Sequence, residues 1–144
     1  MKKIVFLSLL LFLEVNCKND LTITPSSNIT LYDKPGEVIQ GNIQGKWKLE
    51  FEQGGITGGA FYPENTFYTF DQNRVISTKN GNVVFDAAIS WKKEIYNQST
   101  KATTYLMVFD TSSVNFFVEG IVNDTLVFHD YNISDGFTYH LSRK

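Results

Sequence analysis

Gly45-Lys46-Trp47-Lys48-Leu49-Glu50-Phe51-Glu52 alternates charged and apolar side chains without a break. Successive side chains of a strand point to opposite faces, so the pattern predicts a strand with one face in water and Trp47, Leu49 and Phe51 on the other. The stretch opens on Gly-x-Trp and runs into a glycine-rich loop. Beyond it the chain repeats one theme of strand, short turn, strand.

Turn residues punctuate the rest into eight strands: 46–53, 65–71, 74–79, 83–96, 103–110, 114–122, 125–130 and 137–143. Asn80-Gly81 is the strongest hairpin signal, because both residues tolerate the positive φ of a type I′ turn. Asp71-Gln72-Asn73, Asn123-Asp124 and Ser134-Asp135-Gly136 carry ordinary tight-turn chemistry. No convincing 3.6-residue period follows the leader, although Glu37 to Gln44 has room for one short helical turn. Eight antiparallel strands laid flat would leave two long edges. Closure removes both, so an up-and-down barrel is the expected fold and a β-sandwich is the alternative. Val83, Phe85, Ala87, Ile89 and Trp91 alternate with Asp86, Ser90 and Lys92, as a barrel wall requires.

At 144 residues the chain holds one domain and a leader. Its aromatic content of 15% favours pleated, half-buried surfaces. A formal charge of −2, with no basic run beyond Lys92-Lys93, gives no electrostatic footprint for nucleic acid. Met1-Lys2-Lys3 and the apolar run Ile4 to Leu13 form a charged segment and a hydrophobic core too short to span a bilayer. The single cysteine, Cys17, follows directly, so no disulfide closes within the chain. This segment resembles a bacterial lipoprotein signal, although Glu14 and Asn16 depart from the residues that signal prefers. The resemblance implies a signal peptide over 1–16, lipid on Cys17, and anchoring in the envelope of a Gram-negative-type bacterium, on the outer membrane. Lys18-Asn19-Asp20 is similar to short charged signals for its outer face. Residues 17–41 then read as the lipidated cysteine and a tether, punctuated by Pro25, Pro35 and Gly36. Ile29, Leu31 and Tyr32 disagree with a plain tether, and their spacing suits a segment packed on the outside of the domain.

From residue 42 to 144, Gly45-Lys46-Trp47 at the head of an eight-strand meander resembles the lipocalin or calycin superfamily. Gly45 and Trp47 match that family's opening motif and Arg143 matches the arginine ending its last strand. The resemblance implies a barrel base plugged by the Trp47 indole with the Arg143 guanidinium across its ring. It departs at Asn123-Asp124-Thr125, where the family has Thr-Asp-Tyr, and in lacking the helix that follows the barrel of larger members. An outer wall is left to be covered.

If Trp47 marks the closed end, the loop Gly54 to Pro63 lies at the open one, with Phe61 and Tyr62 as an apolar lip. Trp47, Phe51, Tyr68, Phe70, Phe85, Trp91, Phe116, Phe128 and Tyr139 are expected inside. They either line a pocket for a small hydrophobic ligand or pack solid beneath a shallow opening, and the second is favoured. The candidate ligand contacts are Phe61, Tyr62, Tyr68, Phe85, Trp91, Phe116 and Tyr139. Residues 103–122 are apolar on both faces, which predicts an outer patch covered by the tether or by a protein partner. His129 and His140 are expected to point outward with no carboxylate beside them. No nucleophile elbow, phosphate loop or metal-ligand spacing is present, so neither enzyme activity nor a cofactor is expected. The expected function is a non-enzymatic envelope lipoprotein that binds a small hydrophobic molecule. The alternative is a solid barrel that serves as a protein-interaction module.

Overall fold

The computed structural model describes residues 28–144. The signal peptide expected over 1–16, the lipid site Cys17 and residues 18–27 of the tether lie outside the described residues. In chain order the elements are β1 (Asn28–Thr30), α1 (Gly36–Ile43), β2 (Gly45–Gly54), β3 (Gly59–Phe61), β4 (Thr66–Asp71), β5 (Arg74–Lys79), β6 (Asn82–Asn97), β7 (Ala102–Phe109), β8 (Asn115–Val122), β9 (Thr125–Asp130) and β10 (Phe137–Arg143).

β2 and β4 to β10 form an antiparallel meander, and β10 pairs back onto β2. The result is a closed eight-stranded barrel with two extra strands, not a sandwich. Asn80 and Gly81 turn the β5–β6 hairpin at φ 51° and 81°, and Asn123 and Asp124 turn β8 into β9 at 48° and 58°. Each pair supplies the two positive φ values that match the twist of the flanking strands.

The tether reading fails over the described part of 17–41. β7 pairs with β8 only from Leu106 to Val108, which leaves the end of β8 without that neighbour. β1 fills the gap, with Asn28, Ile29 and Thr30 opposite Val122, Ile121 and Gly120. The Leu31 and Tyr32 amides both donate to the Glu119 carbonyl. Unpaired groups of a strand end thereby find partners, which an apolar seam requires. Gly120 permits the approach, since a Cβ there would stand 2.5 Å from the Ile29 carbonyl oxygen. Packing is not confined to the outside either. Ile29 packs against the core, and Leu31 is 0% exposed within it. Tyr32 takes the outer side, its ring 5.3 Å from Tyr96 and 6.0 Å from Phe117. The barrel unit thus begins by residue 28 rather than 42.

α1 closes the base. Ile39 and Ile43 are buried with Trp47, and the Trp47 Nε1–H donates to the Ile43 carbonyl at 2.6 Å. Arg143 lies over the Trp47 ring at 4.2 Å and donates to the carbonyls of Asn42 at 2.9 Å and Gln44 at 3.3 Å. The last carbonyls of a helix lack partners within it and carry partial negative charge. An indole N–H and a guanidinium meet that need here.

Candidate functional site

Antiparallel order sets which connections share an end. The turns after β4, β6 and β8 lie with α1 at the base, whereas those after β2, β5, β7 and β9 surround the opposite end. A cavity of about 260 Å³ opens there. Tyr68, Phe85, Phe109, Phe116, Phe128 and Tyr139 line its interior, and Thr66, Ser77, Lys79, Val84 and Ser112 complete the wall. The rings support one another. Tyr139 stacks on Phe128 at 4.9 Å and Phe116 on Phe109 at 4.7 Å, while Phe116 meets Phe128 edge-on at 5.9 Å. These are the offset and T-shaped arrangements that aromatic quadrupoles favour. Solid packing therefore holds around Trp47 and α1, and the upper interior stays open.

Of the seven candidate contacts, the structure brings together Tyr68, Phe85, Phe116 and Tyr139 on the cavity wall. Trp91 packs against the core opposite Met107 and does not line the cavity. Nor do Phe61 and Tyr62, which are 58% and 68% exposed. The loop Gly54 to Pro63 is partly a hairpin: β3 pairs onto the end of β2, with Phe61 opposite Glu52 and Gly59 opposite Gly54. Tyr62 rests 5.9 Å from Phe51 on the outer side.

Phe51 corrects the inward set. Leu49 opposes Leu141 but Phe51 opposes His140, so Glu50 is an extra residue in the β2–β10 ladder. Such a bulge shifts the alternation by one. Phe51 turns outward and stacks on His140 at 4.1 Å. Glu52 takes the inward position opposite Tyr139. Glu50 itself accepts from Lys48 and Ser142, and these bonds, Lys48 first, hold its carboxyl below the usual range.

Glu52 and Asp130 consequently face the barrel interior opposite Tyr139 and Phe116, although neither lines the cavity, whose one charged lining residue is Lys79. Asp130 opposes Phe116 in the β8–β9 ladder, two residues beyond inward Phe128. Its Oδ2 accepts from the Phe137 amide at 2.9 Å, and its carboxylate is in hydrogen-bonding reach of the Tyr139 phenol. Burial pushes the Glu52 carboxyl up, and the Asp130 charge adds to the shift. Burial also raises the Tyr139 phenol strongly, with Asp130 and Glu52 reinforcing it, and raises Tyr68 with help from Glu52. Both phenols are thus neutral hydrogen-bond donors at ordinary pH. A neighbouring negative charge disfavours ionisation in this way.

Outside the barrel, His129 has a carboxylate neighbour after all, because its Nε2 lies 3.7 Å from Glu119. The β8 bulge at Glu119, between Val118 and Gly120, escaped the pairing argument. His129 stacks on Phe117 at 5.2 Å. Burial lowers both histidines; Glu119 opposes that shift at each, and His129 deepens it at His140. Leu106 is fully buried across from Phe117, and of residues 103–122 only Val122 remains a large exposed apolar side chain. The outer patch expected there is covered in part by Tyr32. Among the described residues no group of three His, Cys, Asp or Glu side chains is placed to hold a metal ion, and no helix is long and apolar enough to cross a membrane. No family model, curated protein or solved structure matches the chain.

Proposed function

We propose that this protein is a lipid-anchored binding barrel of the lipocalin-like kind, which takes a small, largely apolar molecule through the end opposite Trp47. The observation that carries the reading is the cavity of about 260 Å³, walled by aromatic rings at the end opposite Trp47. Ligand sites are concave, mostly apolar and provided with a few polar groups, and this cavity has that character on a small scale. The mouth adds support. Ile56, Phe61, Tyr62, Val83, Val84, Ile133 and Phe137, seven of the nine large apolar side chains left exposed among the described residues, belong to the connections and strand ends around it. Apolar groups gathered at an opening suit the transfer of an apolar ligand from a membrane or carrier. Anchoring through Cys17 rests on the lipoprotein-like signal, and the lipocalin-like assignment rests on Gly45, Trp47, Arg143 and the closed meander.

The test is native mass spectrometry of protein purified from its own envelope, with a fluorescent apolar probe as a second readout. A retained small mass, or probe emission that Ser77→Phe abolishes, is expected. Absence of both would overturn the carrier reading. Radioactive fatty acid labelling compared between the natural chain and Cys17→Ser tests the anchor, and equal labelling would exclude it.

A further inference from the structure

The carrier reading leaves the ligand's headgroup open, and the distribution of polar groups on the cavity wall narrows it. We infer that the cavity takes a small organic acid in its ionised form, whose apolar body lies among the aromatic rings and whose carboxylate meets Lys79. This rests on the carrier reading and deepens it.

Three features carry the inference. Lys79 is the one charged residue on the wall, and no ion pair of the described residues includes it. Hydroxyl groups gather beside it. Thr66 stands opposite Lys79 and Tyr68 opposite Ser77 in the β4–β5 ladder, and all four line the cavity. Thr66 donates to the Glu64 carbonyl at 3.2 Å, while Ser77 and the Tyr68 phenol are in hydrogen-bonding reach of each other. Two hydroxyls that share one bond keep one proton to offer, beside the ammonium. The other polar groups of the wall lie elsewhere: Ser112 follows β7, and the Tyr139 phenol is in reach of Asp130. The far side is apolar. β9 lies four strands from β5 in either direction round the barrel, so Phe128 faces this polar hairpin across the interior, with Phe116 of β8 beside it. Glu52 on β2 and Asp130 on β9 stand outside the lining, and their charges disfavour a carboxylate near Tyr139, which leaves the Lys79 side for it.

Charge then discriminates among ligands. A carboxylate gives the ammonium a partner and accepts from the hydroxyl pair. A neutral alcohol forgoes the charge-assisted bond, and an amine meets a like charge. Lys79 is exposed where β5 ends, so the head of the ligand stays at the mouth and its body points inward. An exposed ion pair is screened by water and salt, so the preference is severalfold rather than many orders of magnitude. Size is also bounded. At roughly 30 Å³ per water, the cavity holds the equivalent of about nine waters, so the acid is short and has a comparable number of heavy atoms. The lining rings favour an aryl body, which stacks on them.

The experiment uses phenylacetate, 2-phenylethanol and 2-phenylethylamine, which share a ring and differ in the head. Each is titrated into the mature protein at pH 7 and followed by calorimetry and by NMR shifts of the lining residues. Phenylacetate is expected to bind about threefold more tightly than the alcohol or better, and the amine most weakly. Lys79→Gln removes the charge and keeps most of the length. It should cost phenylacetate about threefold or more in affinity and leave the alcohol as before, whereas Lys79→Arg should keep the preference. Lys79 is exposed, so both variants should fold, and circular dichroism checks that they do. Affinity for the acid no greater than for the alcohol, or an acid preference that Lys79→Gln leaves intact, would overturn the inference and leave the carrier reading standing. Binding of the apolar probe without binding of phenylacetate has the same meaning. Failure of acid, alcohol, amine and probe alike would overturn both.

Discussion

Replacing Arg143 by Met removes the guanidinium and keeps a side chain of similar length against the Trp47 ring. Three contacts disappear with it. The bond to the Asn42 carbonyl is short, at 2.9 Å, and partly buried; the bond to Gln44 is longer, at 3.3 Å, and exposed. The cation over the indole stands 4.2 Å from its centroid, on a ring that is itself fully buried. A charge-assisted bond of the first kind is worth about 1.5–3 kcal/mol when fully buried and less at this half-exposed site. The cation–π contact is worth about 0.5–2 kcal/mol. The exposed bond contributes little. Arg143→Met should therefore destabilise the protein by about 2–3 kcal/mol, read as a lowered urea midpoint at constant slope. Trp47→Phe is the companion, because it leaves the Ile43 carbonyl without the indole N–H at a cost of about 1–3 kcal/mol plus a smaller volume. Since the two side chains touch and between them hold the consecutive carbonyls of Asn42, Ile43 and Gln44, the double variant should fall short of the sum by about 0.5 kcal/mol or more. An Arg143→Met cost below about 0.5 kcal/mol, or strict additivity, would refute the account of the base as one coupled cap.

The other predictions concern the seam, the cavity and pH. Leu31→Ala should cost about 2–5 kcal/mol in urea unfolding, as for any large core side chain, whereas a tether residue would cost nothing measurable. Gly120→Ala places a methyl 2.5 Å from the Ile29 carbonyl oxygen, so it should destabilise by about 1–3 kcal/mol and abolish hydrogen-exchange protection at the Leu31 and Tyr32 amides. Ser77→Leu adds carbon into open space on the cavity wall. It should leave stability within about 1 kcal/mol and weaken binding of a small apolar probe about tenfold. His129 and His140 are both lowered, mainly by burial, so the unfolded chain takes up protons near pH 6.5 that the folded protein refuses. Their contribution is complete above that pH and lost as pH falls through it, and the raised carboxyl of Glu52 acts in the opposite sense. The urea midpoint should drop between pH 7.5 and about 5.5, and drop less in the His129→Gln, His140→Gln double variant.

What the chain discloses in advance is whatever depends on local chemistry. Asn80-Gly81 and Asn123-Asp124 announce their turns because few other residues accept two positive φ values in succession. The strands from β4 to β10 follow from those turns and from alternation, and closure follows from the need to remove edges. β1 hides for the opposite reason. Its three residues gain stability only from the end of β8, about 90 positions away in sequence, and no local pattern points to that partner.

The inward place of Glu52 hides for a subtler reason, and it turns on one residue. Lys46 to Glu52 alternates so regularly that Phe51 belongs inside by every local rule. A bulge adds no sequence mark of its own unless glycine is needed, and Glu50 needs none. What holds it is tertiary: Lys48 from the same strand, and Ser142 and Lys144 from the far end of the chain, all gather on its carboxylate. With Glu50 fixed outside by those partners, Phe51 must also face out and Glu52 must face in. A single extra residue thereby exchanges a phenyl ring for a carboxyl group on the barrel-facing side of β2, opposite Tyr139.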